Sequence, residues 1–114
     1  MERERGAYLF DISQCCERIA KFTEGMSLVQ YRSDELVKSA VERSFITIGE
    51  ALSRLSKTDP DMFASIPDAV RIVSFRNILV HGYESISDEL VWEIVNEYLP
   101  NLRSMVDGLY ESEK

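Results

Sequence analysis

"SDELVKSAVERSFITIGEALSRLSK", Ser33 to Lys57, sets Val37, Val41, Phe45, Ile48, Leu52 and Leu55 at steps of four and three residues. That is the period at which an α-helix returns to one face, and nothing in the stretch alternates as a half-buried strand must. Ser33 ahead of Asp34 and Glu35 offers a serine N-cap followed by acidic residues at the helix's positive end. The spacing predicts a helix from Ser33 to about Lys57. Gly49, inside it, costs roughly 1 kcal/mol against alanine, which points to another helix passing close by.

The same period extends outward in both directions. Leu9, Ile12, Cys16, Ile19 and Phe22 form a stripe between Arg3 and Glu24, and Gly25 stands where a helix C-cap belongs. A polar connection through Tyr31 follows. Downstream, "TDPDMFASIP" breaks the pattern: Asp59 and Pro60 suit one short capped turn, and Pro67 suits the first position of a third helix running to about His81 and ended by Gly82. "SDEL" recurs at Ser87 and opens the last helix. There Val91, Val95, Tyr98, Leu102, Met105 and Leu109 keep phase on both sides of Pro100, which predicts one kinked helix or two nearly coaxial ones. The expected fold is all-α: an up-down bundle of four long helices, with a fifth if Pro100 splits the last, in a single domain over residues 1–114. Trp92 and Tyr98 read as core or interface aromatics rather than a base-stacking platform.

A chain of 114 residues, 45% hydrophobic and 29% charged, has the length and composition for one modest core and not for disorder. Its charged start and the absence of any run near 20 apolar residues predict a cytoplasmic protein without a membrane partner. Cys15 and Cys16 are adjacent, so they close no useful loop and suggest neither a disulfide framework nor a zinc site. Di-iron bundles need Glu-x-x-His pairs, whereas the one histidine here has Ile78 at that offset; no metal or cofactor is expected. The net charge of −7 opposes nucleic acid on average. An RNA partner therefore needs a local concentration of arginine or a second copy of the chain, and no DNA is expected.

Chemistry concentrates in "RNILVHGY", Arg76 to Tyr83, which holds that histidine. At about 100° per residue Arg76 and His81 lie about 140° apart, whereas Asn77 and His81 share a face. Either the arginine reaches around or the helix ends, and Gly82 offers a left-handed terminator. His81 then stands at the negative end of the helix dipole. Histidine exchanges protons near neutral pH, arginine holds a phosphate bidentately, and an amide or phenol orients either. These are parts for metal-free RNA cleavage. A histidine at a helix end also serves simply as a cap or packing residue, and the residues alone leave both readings open. Arg43 and Glu50, seven apart on one helix face, are either an ordinary ion pair or an extension of a positive cleft by Arg43.

"RNILVHGY" resembles the R-x-x-x-x-H-x-Y signature of the HEPN superfamily. "AYLFDISQCCERIAKFTEGMS", "RSFITIGEAL", "IPDAVRIVSFRNILVHGY" and "DELVWEIVNEYLPNLR" resemble the HepT-like toxin branch in order and spacing, across nearly all of residues 7 to 106. The resemblance implies a helical homodimer whose two motifs face a shared cleft, acting as a metal-independent endoribonuclease toxin. Arg76 and His81 would be its catalytic pair, with Asn77 and Tyr83 supporting. It also implies a minimal nucleotidyltransferase antitoxin that adenylylates Tyr83, placing bulky negative charge in the cleft. The chain departs from the branch's usual residues at Ser44, Asp68, Ser74 and Glu84. A non-catalytic nucleotide-binding or adaptor module is the competing expectation.

Overall fold

The computed structural model describes residues 4–82 and 86–113. Among these residues the structure is helical and contains no strand. Helix α1 spans Arg5–Thr23, α2 Leu28–Ser33, α3 Glu35–Thr58, α4 Pro60–Ser65 and α5 Ala69–His81. The last helix is continuous from α6, Asp88–Glu93, through a π-helical turn at Ile94–Tyr98 into α7, Leu99–Ser112. The bundle follows from which faces are apolar: α1 packs against α3 and α7, and α5 packs against α3 and reaches the last helix at Arg71 and Tyr98. The all-α bundle expectation is met.

The stripe of α3 behaves as its spacing predicts, with Val41, Phe45, Ile48, Leu52 and Leu55 fully buried. They meet Leu9, Ile12, Cys16 and Ile19 of α1 and Ile72 of α5, all equally buried. Phe45 and Phe75 cross edge to face with ring centroids 5.2 Å apart, joining α3 to α5. Such a contact adds roughly 0.5–1.5 kcal/mol beyond area burial. Cys15 and Cys16 are free thiols in this core, and burial above all pushes the Cys16 thiol up to about 12, so it stays protonated and inert.

Several local expectations shift by one or two residues, each for a visible reason. The polar connection contains α2, opened by a capping box in which Ser27 and Gln30 satisfy each other's backbone. Tyr31 on that helix is buried against Trp92, with ring centroids 5.2 Å apart. Because α2 takes Ser33 as its last residue, Asp34 caps α3 by accepting from the Val37 amide. At the second "SDEL" Ile86, just before it, is not helical, and Ser87 caps as its sequence predicts. Pro67 does not open α5: Asp68 adopts a left-handed φ of 62° and the helix starts at Ala69.

In the last helix Leu99 N–H reaches back five residues to the Ile94 carbonyl, widening the turn just before Pro100, which has no N–H to give. The Asn96 side-chain amide donates to the Trp92 carbonyl at 2.8 Å within the same turn. Beyond it Leu102 stays buried as the period predicts, and one turn later the inward position has moved on by one. Val106 is buried where the unbroken period predicts Met105, which is exposed. In α1, Phe22 is likewise exposed while Thr23 is turned inward. No helix among the described residues is long and apolar enough to cross a membrane.

Candidate active site

The residues singled out at the end of α5 are positioned by its crossing with α3. A Cβ placed on Gly49 would lie 2.3 Å from the Cβ of Arg76, so only glycine permits this approach. The crossing lays the arginine stem against the α3 backbone. From there Nη1 donates to Asn77 Oδ1 at 2.9 Å, and Nη2 lies 3.5 Å from Glu50 Oε1. The Arg76 side chain keeps 27% of its surface exposed, and its Nε is buried with no hydrogen-bond partner among the described residues. A buried unpaired donor costs about 1–3 kcal/mol, so the fold holds this guanidinium in place at some expense.

The helix does not end early to bring arginine and histidine together. It runs through His81, and Gly82 closes it by donating to the Ile78 carbonyl at 2.7 Å. Gly82 has φ −120°, which replaces the left-handed terminator expected at this position. A Cβ there would approach the Ile78 carbonyl oxygen to 3.2 Å, a tight contact that a shift of a few tenths of an ångström relieves. His81 is exposed, and its imidazole makes no hydrogen bond to another described residue. Asn77, also exposed, sits one turn earlier on the same face.

Within one chain, then, Arg76 and Asn77 are joined, His81 shares the face of Asn77, and no direct contact links Arg76 to His81. Arg43 is exposed on α3 and does not pair with Glu50, which faces Arg76 instead. Tyr83 and Glu84 lie outside the described residues. Glu50, considered in sequence only as a possible partner of Arg43, is instead the neighbour of Arg76. The signal was present in Gly49, because the residue after a close-approach glycine stands at the helix crossing.

Among the described residues no group of histidine, cysteine or carboxylate side chains is arranged to hold a metal ion. What the site can offer a ligand is a clamped cation with spare donors, an amide and an accessible imidazole. That set suits a phosphate ester.

A family profile described as "Ribonuclease HepT-like" matches residues 12–109. A Methanocaldococcus jannaschii protein named "Putative RNase MJ1380" is 29% identical over 106 residues, covering 93% of this chain and 96% of that protein. A second protein of that organism, "Putative RNase MJ0127", is 32% identical over 95 residues, covering 83% and 78%. "Probable ribonuclease HepT" of Thermococcus cleftensis is 29% identical over 112 residues, covering 96% and 98%. No solved structure matches this chain.

Proposed function

The chain belongs to the HepT-like ribonuclease family of the HEPN superfamily, and from that membership we propose that it is a metal-independent endoribonuclease acting through Arg76 and His81. The observation that carries the reading is an accessible imidazole ending the same helix on which a guanidinium is clamped by Asn77 and Glu50. In the reaction a ribose 2′-oxygen attacks the adjacent phosphorus and the bond from phosphorus to the 5′-oxygen breaks. The products are a 2′,3′-cyclic phosphate and a free 5′-hydroxyl. His81 takes the 2′-hydroxyl proton or gives one to the departing 5′-oxygen, while Arg76 offsets charge on the phosphorane-like transition state.

One histidine does not serve both oxygens at once, and a two-fold dimer supplies a second. The exposed face of α5 supports that assembly. Val70, 68% exposed, lies on the same face as Asn77 and His81, so pairing two copies there would cover apolar surface beside the site. In the same reading the protein is the toxin of a pair whose antitoxin is a minimal nucleotidyltransferase, with Tyr83 the acceptor of adenylylation.

Purified protein should cleave RNA in the presence of a chelator and leave cyclic or 2′(3′)-phosphate ends, and His81→Ala should abolish cleavage. Undiminished cleavage by His81→Ala would overturn the assignment. Intact mass after co-expression with a neighbouring nucleotidyltransferase tests the modification, since unmodified Tyr83 counts against it.

A further inference from the structure

A groove of about 170 Å³ runs along α5 where it faces the last helix, floored by Phe75, Ile78 and Ile94 and flanked by Arg71, Glu93 and Tyr98. The Arg71 guanidinium lies 4.6 Å from the centre of the Tyr98 ring and donates to its hydroxyl at 2.7 Å. This combined cation–π and hydrogen-bonded contact fixes the arginine at the groove's edge. Glu93 belongs to the other helix. Its carboxylate pairs neither with Arg71 nor with any other described cation, although both residues line the same space. With Arg71 fixed at one edge and Glu93, an exposed acid without an ion-pair partner among the described residues, on the other, the groove suits a ligand that turns acceptors toward Arg71 and donors toward Glu93.

The volume falls below the roughly 300–1,000 Å³ of sites that take whole drug-sized ligands, so the groove suits a single flat ring system. A phosphate is a poor occupant, because Glu93 would repel it. Guanine fits the charges best: O6 and N7 accept from arginine on one edge, while its N–H groups face a carboxylate on another. Adenine places its N6 donor beside N7 on a single edge, which does not match partners on separate helices. The apolar floor suits the face of an unstacked base.

We infer that the Arg71–Glu93–Tyr98 groove is a guanine-binding subsite that sets where RNA is cut. Ile78, in its floor, is three residues before His81, about 4.5 Å along the helix axis and about 60° around it. A base seated there belongs to a nucleotide beside the bond that His81 acts on. The inference rests on the ribonuclease reading for its consequence in cleavage, although base binding can be measured without it.

The experiment uses short oligouridine RNAs carrying a single guanosine, adenosine or cytidine, with two readouts. Wild-type protein should cut beside guanosine about tenfold faster than beside the other bases, and Glu93→Gln should reduce that ratio to near unity. Arg71→Ala should lower it as well. Binding of the same RNAs to His81→Ala should favour guanosine by about tenfold, and the double variant with Glu93→Gln should lose the preference. If wild type cuts nothing yet guanosine binding behaves as stated, the ribonuclease reading fails and the subsite stands. If RNA is cut or bound without regard to the base, or the preference survives Glu93→Gln, the subsite is refuted whatever becomes of the nuclease.

Discussion

Gly49 of α3 and Arg76 of α5 occupy one crossing point: a Cβ on the first would sit 2.3 Å from the Cβ of the second. The obstacle is the base of a side chain on a packed helix, which cannot swing aside. Gly49→Ala gains roughly 1 kcal/mol in helix propensity and loses about 1–3 kcal/mol to overpacking. The variant should unfold at lower denaturant concentration and cleave RNA more slowly, because Arg76 moves with the crossing. A stabilised, fully active Gly49→Ala protein would show that the helices do not meet this way.

In the proposed reading Glu50 competes with RNA for Arg76. The contact is long at 3.5 Å and the carboxylate is half exposed, so Glu50→Gln should change stability by less than about 1 kcal/mol. It should tighten RNA binding several-fold at low ionic strength, with the gain shrinking as salt screens the site. Titration of His81→Ala with and without the Glu50 change measures this apart from cleavage. Weaker binding would mean that Glu50 holds the arginine in its working position.

Tyr31 buries its hydroxyl with no hydrogen-bond partner among the described residues. Burial first, then Glu42 and Asp88, push its phenol well above the ordinary range, so the group is always protonated. Tyr31→Phe keeps the ring against Trp92 and removes the stranded hydroxyl. Denaturant unfolding should show about 1 kcal/mol of added stability. A loss of similar size would reveal a partner for the hydroxyl.

Glu42 is raised above its ordinary value of 4.5 by burial, with Lys38 opposing and Asp88 and Glu35 adding to the effect. A raised carboxyl binds its proton more readily in the folded state, so its contribution is most favourable below about 4.5 and declines as pH rises through the folded value. Glu42→Gln escapes that decline. The variant should therefore be more stable than the parent at neutral pH, with the difference closing as pH falls below the ordinary value. Melting curves across that range would count against this if the gap were constant or reversed.

The π turn and Pro100 form a pair. Deleting Asn96 alone should restore a regular ladder that drives the Pro100 ring into the carbonyl four residues back, at a cost of about 3 kcal/mol. Deleting Asn96 together with Pro100→Ala should recover most of that loss. Equal stability of the two deletions would separate the turn from the proline.

The legible parts of the fold were those where one helix face stayed in phase, as in α3 from Val41 to Leu55. Phase was lost where the backbone changed its count. The π turn put Val106 in place of Met105, and α2 took Ser33 before it could cap α3. At the site, Arg76, Asn77 and His81 were legible as chemistry from residue type. Glu50 was not recognised as their neighbour, because partner choice depends on the α3–α5 crossing rather than on spacing within α3. Arg71, Glu93 and Tyr98 come from two successive helices whose packing, not their spacing, puts them on one groove, and no local pattern announces such a meeting.

The widened turn at Ile94–Tyr98 also bears on how this chain is aligned with others. A relative that lacks the turn matches it only with a gap inside the last helix, between Val95 and Leu99, where alignments rarely place one. Without that gap every position beyond falls out of step by one, about 100° of rotation. A substitution transferred by number would then land on solvent where the core was meant.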